Sequence, residues 1–176
     1  MNYCEEYTKL KDENHIYKSI SYDELRNLID SFGTGLIYIG GPWCKNCQAI
    51  IDVVNSIGKK RGLECIYNYD PKFTNIFGEV EDLRDCKTLE EKLKYYYLVE
   101  KLGFKSNELV ENTLIPKFHC PFFIALKNGS CVGYYTSELV KDKYLHKENE
   151  TEDMSVDFFD NIISLIEKVQ KKELFD

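Results

Sequence analysis

Residues 35–40, GLIYIG, are a continuous apolar run closed at both ends by glycine. A strand with one wet face alternates apolar and polar residues. A run with no polar position has to be buried on both faces, which places it inside a sheet covered by helices. The flanking segments supply those helices. SYDELRNLIDSFG, 21–33, carries Leu25, Leu28, Ile29 and Phe32 at helical spacing, opens on a capping box of Ser21 and Glu24, and ends at Gly33, suited to the left-handed turn that stops a helix. NCQAIIDVVNSIGKKRG, 46–62, sets Ile50, Ile51, Val54 and Ile57 on one face and Lys59, Lys60 and Arg61 at its C-terminal end, where cations suit the helix dipole. With short strands at 16–20 and within LECIYNYDP, 63–71, the order is strand, helix, strand, helix, strand. That order predicts parallel pairing and an α/β sheet.

Residues 72–115 interrupt the alternation. They hold one helix, about 88–102, with Thr88 and Glu91 as a second capping box, Gly103 as its stop, and Leu89, Leu93, Tyr96 and Leu102 as its packing residues. Tyr95, Tyr96 and Tyr97 cannot share one face, because adjacent helical residues point about 100° apart, so at least one ring faces solvent or a partner. The expectation is that this segment governs partner choice rather than folding. CPFFIALKNGSCVGYYT, 120–136, reads as a hairpin: Phe122 to Leu126, an Asn128-Gly129 turn, and Val132 to Tyr135 returning. An acidic stretch with Glu148, Glu150, Glu152 and Asp153 reads as a solvated loop. A final helix, about 155–172, buries Phe159, Ile162, Ile163, Ile166 and Val169. No internal repeat or low-complexity linker divides the 176 residues, which read as one domain, 1–176.

The chemistry concentrates in GGPWCKNCQAI, 40–50, where Cys44 and Cys47 fall between the central strand and the following helix. Such a pair can be a redox dithiol, half of a metal site, or two packed cysteines. A zinc site wants four ligands and no second C-x-x-C exists; Cys120 and His119 are the candidates to complete one. The dithiol reading fits the context best. A cysteine at a helix start meets unpaired N–H groups and the positive end of the dipole, which favour its thiolate. Lys45 adds a cation beside Cys44. Cys47, one turn on, is placed to attack a mixed disulfide formed at Cys44, and Pro42 and Trp43 make a stiff apolar lip beside the exposed sulfur. The other cysteines are Cys4, Cys65, Cys86, Cys120 and Cys131. An odd total of seven, widely spaced, argues against a structural disulfide framework.

Composition narrows the setting. Lys and Arg number 23 against 30 Asp and Glu, a formal net charge of −7, and no basic stripe carries interleaved aromatics, so nucleic acid is excluded as an expected partner. The first residues, MNYCEEYTKLKDENH, are polar and charged with no apolar core of a signal peptide, and no apolar run approaches the length that spans a membrane. The expectation is a soluble cytoplasmic protein with no membrane partner and no cofactor.

LIYIGGPWCKNC resembles the second core strand and active-site motif of the thioredoxin superfamily, CPFFIALKNGSCVGYY its cis-proline loop and terminal hairpin, and the last helix its final helix. The resemblance covers about 16–71 and 116–172. It implies a thioredoxin-like fold, a mixed central sheet flanked by helices, with a helical insertion at 72–115 before the cis-Pro loop. It implies a thiol–disulfide oxidoreductase in which Cys44 is the nucleophile, Cys47 the resolving thiol, and Trp43, Cys120 and Pro121 shape the substrate groove, Pro121 in cis. The partners implied are a disulfide-containing protein and a recycling reductase. Two departures bear on activity. Tyr38 stands where thioredoxins carry a buried Asp that helps deprotonate the resolving cysteine, and Ile66 stands where the Asp has a Lys partner. Bacteriocin transport accessory proteins elaborate the superfamily fold in a region similar to 72–115. The alternatives are an accessory or binding module with little turnover, and a metal or iron–sulfur site on Cys44, Cys47 and Cys120.

Overall fold

The computed structural model describes residues 2–136 and 156–172; the acidic stretch around Glu148–Asp153 lies outside them. The central run forms β2 (Gly35–Ile39), buried at every position. It pairs in parallel with β3 (Ile66–Tyr69), and β3 in parallel with β1 (Tyr17–Ile20). On its other side β2 meets β6 (Phe122–Lys127) antiparallel, and β6 meets β7 (Ser130–Thr136) antiparallel, giving a mixed sheet in the order β1-β3-β2-β6-β7. A parallel half and an antiparallel half joined at the most buried strand is the thioredoxin-like arrangement the sequence implied. Asn128 and Gly129 both take positive φ, 49° and 75°, as the tight β6–β7 turn requires.

Helices cover both faces. α2 (Tyr22–Asp30) begins on the expected Ser21–Glu24 capping box. Its stop differs from expectation: Phe32, at φ 59°, takes the left-handed position, not Gly33. Gly33 is needed for space, since its N–H binds the Leu28 carbonyl and a Cβ there would lie 2.9 Å from Leu28 Cγ. α3 (Lys45–Lys60) and α5 (Val156–Gln170) pack against each other on one face. α4 (Leu89–Leu102) lies beside α2, tied to it by hydrogen bonds from Tyr22 to the Lys94 carbonyl and from Tyr97 to Asp30. Alternation along β6 serves the two layers: Phe123 meets Phe158 of α5, while Phe122 meets Phe118 and Phe104, which follow α4. In α5 the deepest residues are Phe158, Ile162, Leu165 and Ile166, a face rotated slightly from the expected one.

The segment 72–115 is built into this core, which corrects the expectation that it has no part in folding. Leu83, Cys86, Tyr95, Leu98, Val99, Leu102, Phe104 and Val110 are all buried. The packing face of α4 is also the opposite of the predicted one: Leu102 is buried as expected, but Leu89, Leu93 and Tyr96 are exposed. Of the tyrosine run, Tyr96 faces outward and Tyr95 is fully buried, its hydroxyl donating to the Pro116 carbonyl and accepting from Phe118 N–H. Thr88 caps α4 as expected, but Glu91 reaches back to Lys87 N–H rather than to Thr88. A hairpin that the sequence reading missed, β4 (Lys72–Thr74) with β5 (Val80–Asp82), turns on Asn75, whose side-chain oxygen accepts from Phe77 and Glu79 N–H.

The N-terminal residues, read as merely polar, also reach the core. A single helical turn, α1 (Tyr3–Glu6), and the residues after it bury Tyr3, Tyr7 and Leu10, which are spaced for one side of a helix.

Candidate active site

β2 ends beneath the C-x-x-C motif, and Gly40 and Gly41 carry the chain from the sheet to α3. Gly40 N–H still binds the Tyr69 carbonyl at 3.1 Å, so the loop starts anchored to β3. Glycine is required at 40 by proximity: a Cβ there would lie 2.6 Å from the Tyr38 hydroxyl and 2.7 Å from the Cys47 sulfur. Cys44 is the N-cap of α3, with extended backbone, and its sulfur accepts from Cys47 N–H at 3.4 Å, the place a serine or aspartate oxygen holds in ordinary caps.

That position sets the reactivity of the pair. The Cys47 thiol and then the Cys47 and Asn46 amides donate to the Cys44 sulfur, and with the charge of Arg84 they outweigh burial, lowering Cys44 from the ordinary 9.0 to about 7. Cys47 is fully buried, and burial, followed by its donation to Cys44, holds its thiol well above the ordinary range. One cysteine is therefore poised as thiolate and the other as thiol. All seven cysteines are thiols in this structure.

Of the other expected site residues, Cys120 and Pro121 meet the dithiol directly. The Cys120–Pro121 peptide is cis, and the Cys120 carbonyl accepts from the Cys44 sulfur at 3.5 Å. The Cys120 thiol is buried, and burial pushes it up to about 12, so it is inert beside Cys44. Trp43 is 37% exposed and forms the lip, its indole N–H donating to both Asp70 carboxylate oxygens at 3.0 and 3.1 Å. Lys45 is exposed on the first turn of α3. Tyr38 lies wholly buried under Cys47, its ring stacked on Phe123 with centroids 5.2 Å apart. His119 is directed to Glu108, with Nε2 to Oε2 at 2.6 Å. Among the described residues no three His, Cys, Asp or Glu side chains come together to hold a metal, so the metal or iron–sulfur alternative on Cys44, Cys47 and Cys120 finds no ligand set there.

Sequence reasoning missed Arg84, Asp82 and Asp70. The segment 72–115 brings Arg84 to the site, held by Asp82 through Nε to Oδ1 at 3.0 Å and Nη2 to Oδ2 at 2.7 Å. Burial pushes the Asp82 carboxyl up, but the guanidinium outweighs it and holds the carboxyl below its ordinary range. Arg84 also donates to the Phe118 carbonyl at 3.4 Å and lies 5.2 Å from the Trp43 ring centroid, with Lys72 Nζ at 4.2 Å from the same ring. Two cations thus hold the indole face while Asp70 holds its edge. Burial raises the Asp70 carboxyl above its ordinary range. Nothing in local sequence marks Arg84, because its role depends on how a distant hairpin folds back. Asp70 carried one signal: it closes the strand next to the motif.

The arrangement is a thiol poised as thiolate at a helix N-terminus, a sheltered second thiol one turn on, and an apolar lip beside the cis-proline peptide. No protein-family model matches the chain, and no curated protein matches it. Among solved structures it is similar to the crystal structure of thioredoxin F from spinach chloroplast (short form), at 18% identity over 72% of this chain and 89% of that chain, with a TM-score of 0.38. No described helix is long and apolar enough to cross a membrane.

Proposed function

We propose that the chain is a thiol–disulfide oxidoreductase, one thioredoxin-like domain over 1–176, that reduces disulfides in protein substrates. The observation that carries this reading is the placement of the two cysteines, Cys44 as the N-cap of α3 with its sulfur accepting from Cys47 N–H and Cys47 fully buried one turn on, which lowers the first thiol and raises the second. The Cys44 thiolate attacks one sulfur of a substrate disulfide. A Cys44–substrate bond forms, the substrate S–S bond breaks, and one substrate thiolate leaves and takes a proton from water. Cys47 then attacks the Cys44 sulfur, forming the intramolecular disulfide and releasing the second substrate thiolate, which is protonated in turn. The substrate is oxidant, and a recycling reductase restores the dithiol in a reducing compartment such as the cytoplasm. At neutral pH about half of Cys44 is thiolate, against about a hundredth for an unperturbed thiol two units higher.

A second reading, an accessory module with little turnover, is favoured by one observation. The β4–β5 hairpin exposes Ile76 and Phe77, at 94% and 80%, where a protein partner could dock. Reduction of insulin disulfides, with dithiothreitol as the recycling thiol, separates the two. The expected result is precipitation of the insulin B chain much faster than with dithiothreitol alone, lost in Cys44→Ser. Precipitation at the dithiothreitol rate would leave the accessory reading standing.

A further inference from the structure

We propose, resting on the exchange reaction above, that the Tyr38 hydroxyl stabilises the Cys47 thiolate as it attacks, and that Tyr7, from the N-terminal segment, orients that hydroxyl. Tyr38 is thus a catalytic residue for the resolving step and Tyr7 a positioning residue.

The placement carries the inference. The Tyr38 hydroxyl and the Cys47 sulfur crowd the same side of Gly40, 2.6 and 2.7 Å from where its Cβ would lie, which sets the hydroxyl beside the sulfur. Behind it the Tyr7 hydroxyl lies 3.2 Å from the Tyr38 hydroxyl, both residues fully buried. Either of these oxygens can donate to the other. When Tyr38 donates to sulfur, Tyr7 must be the donor to Tyr38, so both O–H dipoles point at Cys47 and reinforce each other.

The surroundings hold this geometry. The Tyr38 ring is stacked on Phe123 and edged by Tyr17 at 6.0 Å. Tyr7 is stacked on Tyr3, whose hydroxyl donates to Asn68 Oδ1 at 3.0 Å. Asn68 in turn donates to the Tyr38 and Gly40 carbonyls, at 3.2 and 3.0 Å, tying the N-terminal turn to the strand end beneath the motif. Gln48 adds a second tie, donating to the Glu6 and Pro42 carbonyls at 2.8 and 2.9 Å.

A phenol differs from a carboxylate here. Burial keeps Tyr38 protonated, so it gives a hydrogen bond and takes no proton. During resolution the Cys47 proton goes to water, charge gathers on the Cys47 sulfur, and the Tyr38 O–H meets that charge. The Cys47–Cys44 bond forms as the Cys44–substrate bond breaks, and the charge passes to the leaving sulfur.

The test separates the two steps with 5,5′-dithiobis(2-nitrobenzoate) in excess over the reduced protein, in a parent whose other half-buried thiols, Cys4, Cys65 and Cys131, are replaced by serine. A first thionitrobenzoate is released when Cys44 attacks and a second when Cys47 resolves, both read by absorbance. Tyr38→Phe keeps the ring and its stacking. The expected result is an unchanged first phase and a second phase slower by about tenfold to a hundredfold, the scale of a hydrogen bond to a charged group. Tyr7→Phe is expected to slow the same phase by less. A second phase as fast as the parent's in Tyr38→Phe, or both phases slowed alike, would overturn the proposal. A parent protein that releases nothing at Cys44 would instead overturn the exchange reaction itself.

Discussion

Serine in place of Cys47 is expected to arrest the chain as a covalent complex with its substrate. Cys44 keeps the Asn46 and Cys47-position amides and the Arg84 charge, so attack on the substrate disulfide proceeds. What is lost is the sulfur that would break the mixed disulfide. Turnover with insulin should fall to the uncatalysed rate, while mass spectrometry of the protein after mixing shows the added mass of one substrate chain, removed by dithiothreitol. The serine hydroxyl can donate to the Cys44 sulfur as the Cys47 thiol does, so the first step in this variant should keep its pH dependence. Absence of any adduct, with turnover retained, would contradict the assignment of Cys47 as the resolving thiol.

Truncating Tyr95 is expected to cost more stability than any change on the outer face of α4. The side chain is fully buried against Phe118 with ring centroids 5.2 Å apart, and its hydroxyl links the Pro116 carbonyl to the Phe118 amide. Removing a large buried ring costs about 3–5 kcal/mol. The Phe118 amide is then left without its partner, at about 1–3 kcal/mol more. Out of a total of about 5–15 kcal/mol for a typical domain, Tyr95→Ala should leave the chain marginal or unfolded at room temperature. Leu93→Ala, on the exposed side of the same helix, should change stability by less than about 0.5 kcal/mol. Urea unfolding followed by circular dichroism compares the two. Equal effects would mean that α4 is not the cover of this face of the sheet.

The sequence made the parallel half of the sheet legible because its signals were local: an apolar run between glycines, and two helices with readable faces and caps. Cys44 and Cys47 were legible for the same reason, since a strand end, two glycines and a helix start occur in one continuous stretch. The packing face of α4 was not. Leu89, Leu93 and Tyr96 make as good an apolar line as Tyr95, Leu98, Val99 and Leu102, and only the position of the sheet decides between them. The N-terminal turn was missed because its apolar residues are tyrosines set among charges, and a tyrosine is as much at home on a surface as in a core. Tyr38 was seen as a departure from the superfamily's acid. Its partner Tyr7 could not be seen, because a contact between a strand and a distant N-terminal turn leaves no mark on spacing. Arg84 was hidden in the same way.

On the proposed mechanism Cys44 is a thiolate near neutrality while Cys47 stays protonated and sheltered. Alkylation of the reduced protein with iodoacetamide across pH, with the modified residue located by peptide mass spectrometry, tests it most directly. The expected result is modification at Cys44, with a rate that rises as pH increases, reaches half its maximum near the value of about 7 that the structure gives, and levels off above it. Cys47 should remain unmodified over the same range, as burial holds its thiol protonated. Modification of Cys47 before Cys44, or a Cys44 rate that rises only around the ordinary thiol value of 9.0, would contradict the claim.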